Sequence, residues 1–234
     1  MSDRSARRPR VAIVDYGMGN LYSVQRACAH VGLDSFLTED PAEVSRAKAV
    51  ILPGVGGMPE AMRRLNESGL SDAIRESAER GVPLLGVCLG LQLLMSDGSE
   101  FVPHHGLGII QGTVVRFNGE SAPGVPLKVP HIGWSPIHFA KQRAWNAPLL
   151  DGITEGALMY FVHSYYVRPS DAGIIAATAR YGSIEFCAAV SQGNIFACQF
   201  HPERSGPTGL VVYRNFADAL RSEAHPVPAP FLTT

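Results

Sequence analysis

The chain has 234 residues, 46% of them apolar and 18% charged, an ordinary composition for one folded domain that excludes disordered and fibrous classes. Its 20 basic and 21 acidic residues leave a net charge of −1, so the balance gives no case for a nucleic-acid partner or an anionic membrane surface. No apolar run approaches the roughly 20 residues needed to span a bilayer. Cys28, Cys88, Cys187 and Cys198 are widely spaced without a C-x-x-C pair, which fits reduced thiols, and a soluble cytoplasmic protein is expected.

Residues 1–9, with Arg4, Arg7 and Arg8, read as a disordered basic tail, because the apolar stretch that follows meets Asp15 at once and makes no signal-peptide core. Residues 10–222 then read as one domain. Its first half alternates strand and helix signals, with strands predicted at 11–15, 35–38, 49–52 and 83–87, the pattern of a parallel sheet with crossover helices. A helix capped by Asn20 puts Leu21, Val24, Cys28 and Val31 on one face and stops at Gly32. Asp40-Pro41-Ala42-Glu43 reads as cap, first-turn proline and reciprocal acidic residue of a second helix. Residues 71–79, ended by Gly81, predict another.

From about Gly108 apolar runs follow at 109–117, 158–167, 174–181, 184–190 and 195–200. Gly182-Ser183 and Gly193-Asn194 join the last three too closely for crossovers and predict hairpins. The expected fold is therefore α/β, a single domain with a mixed, mostly parallel central sheet flanked by helices. Thr208 is placed to cap a closing helix with Leu210, Val211, Tyr213, Phe216, Ala217 and Leu220 inward, and residues 223–234 read as a loose tail.

The strongest chemical signal is Gly86-Val87-Cys88-Leu89-Gly90, where a buried strand breaks at a cysteine and continues as a helix. This is the form of a nucleophile elbow: small neighbours permit a sharp turn that exposes the nucleophile at the strand end. The helix start beyond it favours thiolate over thiol, and the Leu89 amide is placed to bind an oxyanion. A lone cysteine is more often a packing residue, but the strand-turn-helix context argues for chemistry here. Phe200-His201-Pro202-Glu203, at the end of another strand, supplies a proton carrier and a carboxylate to orient it, so Cys88, His201 and Glu203 make a Cys-His-Glu triad. A His-x-Glu pair alone is weak evidence, and a metal reading lacks further ligands; no metal or cofactor is expected. The glycine-dense segment from Leu52 to Pro59 can bring backbone close to a ligand or turn an amide inward; a tight strand-to-helix connection explains it equally well. It lacks the glycine-lysine-serine/threonine ending of a phosphate loop.

With these residues in view, the CLGLQ elbow and the later FHPE segment resemble the class I (triad) glutamine amidotransferases. Val14-Asp15-Tyr16-Gly17-Met18-Gly19-Asn20-Leu21, Val129-Pro130-His131-Ile132-Gly133-Trp134, Phe161-Val162-His163-Ser164-Tyr165-Tyr166 and Phe200-His201-Pro202-Glu203-Arg204-Ser205-Gly206 are similar to the glutaminase subunits of imidazole glycerol phosphate synthase. The resemblance implies that Cys88 attacks L-glutamine, that ammonia leaves, and that a glutamyl thioester is hydrolysed. It places Gln92 and the Gly54 to Gly56 backbone at the substrate, with Ser164 and Tyr165 nearby and the Val55 amide as a second oxyanion donor. It also implies a heterodimer with the cyclase subunit, with Asn20 and Arg204 towards that partner. Arg204 departs from the usual lysine, and Ser135 from the usual asparagine.

His131 and Trp134 fit packing a loop at least as well as touching substrate, His163 reads as a satisfied half-buried histidine rather than a base, and Met58, Met62 and Leu65 read as core. Another triad glutaminase, serving pyridoxal phosphate or anthranilate synthesis, shares the elbow and triad. A cysteine peptidase would use the same nucleophile and base on a peptide. A non-catalytic subunit would be expected to lack a triad member, and all three are present.

Overall fold

The computed structural model describes residues 10–100, 103–140 and 147–221; the two predicted tails lie outside them. The first half runs β1 (Arg10–Val14), α1 (Leu21–His30), β2 (Asp34–Thr38), α2 (Pro41–Arg46), β3 (Ala49–Leu52), α3 (Met58–Glu67), α4 (Leu70–Glu79), β4 (Leu84–Val87) and α5 (Leu89–Leu93). Ten strands follow: β5 (Met95–Gly98), β6 (His104–His105), β7 (Ile110–Arg116), β8 (Glu120–Ala122), β9 (Val125–Pro126), β10 (His131–Phe139), β11 (Leu158–His163), β12 (Tyr165–Pro169), β13 (Ile175–Tyr181) and β14 (Ile184–Gln192), before β15 (Ile195–Cys198) and the closing helix α6 (Gly206–Arg221).

Nine strands form one sheet in the order β11-β10-β13-β14-β15-β4-β3-β1-β2. The sheet is mixed, as expected, with parallel pairing from β2 through β15 and antiparallel pairing from β15 through β11. Parallel contacts thus make up half of the neighbour pairs rather than most, because the two glycine hairpins and the unforeseen strand β10 extend the antiparallel side. The central strands β1, β3, β4 and β15 are buried almost throughout, the continuous apolar run of strands covered on both faces. Helices α1 and α6 contribute to the core on one face, and α3, α4 and α5 to that on the other.

Local signals mostly held, with informative exceptions. Val24 and Cys28 bury on α1 and Gly32 takes φ +74°, yet the Asn20 side chain makes no capping bond. Asp40 accepts from the Ala42 amide at 2.8 Å, but Glu43 does not reach back to Asp40. The Thr38 hydroxyl stands between them instead, accepting from the Asp40 amide at 3.0 Å and donating to Glu43 at 2.5 Å. Helix α6 starts at Gly206, so Thr208 lies inside its first turn rather than capping it. The apolar run at 158–167 breaks at Ser164: β11 stays in the nine-stranded sheet while β12 joins a second sheet, β12-β7-β5-β6. Among the described residues no helix is long and apolar enough to cross a membrane.

Candidate active site

Strand β4 ends at Val87, and Cys88 turns the chain with φ 54° and ψ −106°, the only positive φ at a non-glycine position among the described residues. Such strain persists only where the surroundings enforce it. Here they do so through two glycines. A Cβ on Gly90 would lie 1.8 Å from the Leu52 carbonyl oxygen, and one on Gly86 would lie 2.8 Å from the Ala197 Cβ. Helix α5 spans five residues, so what it offers Cys88 is the amides of a first turn rather than a long helix dipole.

The register of β4 with β15 sets Val87 opposite Cys198, and the Cys88 amide donates to the Cys198 carbonyl at 2.8 Å. The chain leaving β15 therefore carries Gln199 and His201 past the elbow. His201 Nδ1 lies 2.8 Å from Glu203 Oε1, with side chains 3% and 1% exposed. Because a carboxylate only accepts, Nδ1 carries the proton, and Nε2 is buried with no geometric hydrogen bond among the described residues. Burial disfavours a charged imidazole, but the Cys88 sulfur and the Glu203 carboxylate outweigh it and raise the His201 pKa to about 10. The sulfur and the carboxylate thus favour the protonated imidazole.

Cys88 opens into a cavity of about 480 Å³ lined by Val55, Gly56, Leu89, Gln92, Glu100, Pro130, Val162, His163, Ser164, Tyr165 and Arg204. A Cβ on Gly54 would meet the Tyr16 hydroxyl at 2.0 Å and the Leu89 Cβ at 3.1 Å, so the glycine loop runs directly against the start of α5. The loop is held at both ends: Tyr16 donates to the Pro53 carbonyl at 2.9 Å, and the Met58 amide donates to Glu100 Oε2 at 2.8 Å. Gln92 commits its amide hydrogens to the Tyr165 carbonyl at 2.9 Å and Gln199 Oε1 at 3.0 Å. Its Oε1 remains as an acceptor. A buried nucleophile, an adjacent histidine, a carboxylate that orients it and two flanking backbone segments form an arrangement suited to acyl transfer.

Residues 12–220 match the family described as glutamine amidotransferase class-I. The chain belongs to this family. The amidotransferase is 48% identical over 209 residues to the imidazole glycerol phosphate synthase subunit HisH of Syntrophotalea carbinolica, covering 89% of this chain and 99% of that one. It is 46% identical over 206 residues to the HisH subunit of Geobacillus kaustophilus, covering 88% and 95%. Among solved structures, PurLQS from Thermotoga maritima superposes with a TM-score of 0.66 at 20% identity, over 91% of this chain and 99% of that one. The glutaminase domain of Trypanosoma brucei CTPS, with bound acivicin, does so with 0.64 at 19%, over 94% and 96%. These two likenesses show the fold.

In this amidotransferase Cys88, Val55, Leu89, Gly56, Gln92, Ser164 and Tyr165, all predicted from sequence for the site, line the cavity, whereas His201, Glu203 and Gly54 are not among its lining residues. Arg204 also lines it, with its guanidinium 4.6 Å above the Tyr160 ring, whereas Asn20 sits at the start of α1. His131 and His163 are buried and bonded to each other at 3.2 Å, and burial lowers their pKa values to about 4 and about 3, so both are neutral near pH 7; His163 also lines the cavity. Trp134 is instead 53% exposed. Sequence reasoning missed Glu100, an acidic residue in an unpatterned loop. It also missed Gln199, whose only signal was an amide inside the apolar run 195–200. A second cavity of about 580 Å³, beside β12 and β14, shows no hydrogen bond between a nucleophilic side chain and a base among the described residues that line it.

Proposed function

We propose that this chain is the glutamine-hydrolysing subunit of an imidazole glycerol phosphate synthase, working in the cytoplasm as a heterodimer with the cyclase subunit to which it passes ammonia. The observation that carries the reading is the buried Cys88, His201 and Glu203 set opening between Leu89 and the Gly54-Val55-Gly56 loop. Cys88 Sγ attacks the side-chain amide carbon of glutamine while its proton resides on His201 Nε2. The Leu89 and Val55 amides stabilise the oxyanion. His201 then protonates the leaving nitrogen, the C–N bond breaks, and ammonia departs from a glutamyl thioester. A water that gives one proton to His201 attacks the thioester; the C–S bond breaks, glutamate forms, and the thiolate–imidazolium pair returns. Glu203 holds the imidazole tautomer throughout.

Glutamine is also a zwitterion. Among the described residues Glu100 is the one carboxylate lining the cavity and Gln92 Oε1 an uncommitted acceptor, and together they suit its α-ammonium group, with Ser164 and Tyr165 alongside. Asn20 and the exposed Arg204, stacked on Tyr160 near the exposed Trp134, are the groups proposed to face the cyclase.

The test is Cys88→Ala in the reconstituted complex with the cyclase. Glutamine-dependent synthesis should vanish while synthesis from added ammonium continues, because the two half-reactions occupy separate sites. Retained glutamine-dependent synthesis would refute the ammonia-donor role.

A further inference from the structure

We infer that Gln199 is a further catalytic residue: its side-chain amide donates to Cys88 Sγ and stabilises the thiolate form of the nucleophile. The inference deepens the glutaminase reading and rests on it for the identity of the nucleophile.

Gln199 is fully buried one residue beyond β15, and its Nε2 lies 3.6 Å from Cys88 Sγ. Which end of a side-chain amide faces a neighbour is decided by the network around it, and here one backbone atom decides it. The Tyr165 carbonyl can only accept, so Gln92 must present Nε2 to it, at 2.9 Å. The other hydrogen on Gln92 Nε2 points at Gln199, at 3.0 Å, so Gln199 must present Oε1 there. That leaves Gln199 Nε2 facing the sulfur. Reversing either amide would set donor against donor or acceptor against acceptor in a dry site, where an unsatisfied group is costly.

A donor aimed at sulfur favours the charged form over the neutral one. The sulfur also faces His201 and lies 3.9 Å from the Val162 carbonyl, an acceptor that suits the thiol. Gln199 therefore supplies the thiolate with a neutral donor that does not depend on His201. Through Gln92 the same chain of bonds reaches the cavity wall at Tyr165.

The test uses Gln199→Met, which keeps the volume and removes the donor. Cys88 labelling by iodoacetamide at pH 7 should slow about threefold to tenfold, with turnover of glutamine falling by the same factor. A side chain that only filled space would leave the labelling rate at the wild-type value, and that result overturns the inference. Iodoacetamide needs no glutamine site, so if the wild type in complex with liganded cyclase released no glutamate the proposed function would fail while labelling still judged Gln199. Should the variant not fold, NMR of the wild type decides: the Gln199 side-chain amide resonances should move with pH along the same transition as the Cys88 labelling rate. Resonances that stay still through that transition also overturn it.

Discussion

The Cys88 amide donates to the Cys198 carbonyl at 2.8 Å, which locks the turn after β4 to the end of β15. One backbone bond thus couples the candidate nucleophile to the strand that carries its base, so the spacing of Cys88, Gln199 and His201 is a property of the central sheet rather than of mobile loops.

Labelling with a glutamine-mimicking electrophile should modify Cys88 alone. Burial pushes Cys28 and Cys187 up to about 12 and Cys198 well above the usual thiol value, so none of these supplies thiolate at neutral pH. Mass mapping of the adduct checks this, and predominant label on another cysteine would remove Cys88 from its role.

His201 should titrate near pH 10 by NMR, and in Cys88→Ala its pKa should drop, since the Cys88 charge is part of what opposes burial. The sign for stability follows. The folded state holds this proton more tightly than the ordinary value of 6.5, so the contribution is complete below about pH 6.5 and lost as pH rises through about 10. Urea unfolding of the wild type should lose stability across that window by more than Cys88→Ala does; parallel pH curves would contradict the pairing.

His201→Ala should cut glutamine turnover by at least about a thousandfold, and Glu203→Ala by about one to two orders of magnitude less, because Glu203 orients the imidazole without transferring the proton itself. Steady-state kinetics with saturating glutamine would show equal or reversed losses if the roles are misassigned.

Gly90→Ala should destabilise the fold by about 3 kcal/mol, since the added carbon would sit 1.8 Å from the Leu52 carbonyl and backbone must shift. Thermal unfolding close to that of the wild type would show that the elbow tolerates the shift.

The Gly54-Val55-Gly56 loop is pinned at Pro53 and Met58 but has glycine on both sides of Val55, so its peptide can reorient and add or withdraw an oxyanion donor. One donor is worth roughly 3 to 4 kcal/mol. Glutamate release at saturating glutamine should therefore rise at least about a hundredfold when cyclase with its nucleotide ligand is added. Similar rates with and without it would dispose of the switch and leave the triad untouched.

Local chemistry made much of this protein readable from its sequence. The buried strands announce themselves as continuous apolar runs, the hairpins as short glycine turns, and the elbow as glycines around Cys88, because each depends on residues adjacent in the chain. Four features lay beyond that reach. The half-antiparallel sheet depends on β10 pairing with β11 and β13, and the break at Ser164 depends on which sheet each half of an unbroken apolar run can join. Glu100 and Gln199 acquire meaning only from what faces them: an amide at the start of α3 in one case, and a sulfur and a second glutamine in the other. Periodicity encodes which face of an element is buried, but not which partner it meets; that is decided when long-range strand register satisfies buried polar groups and apolar faces together.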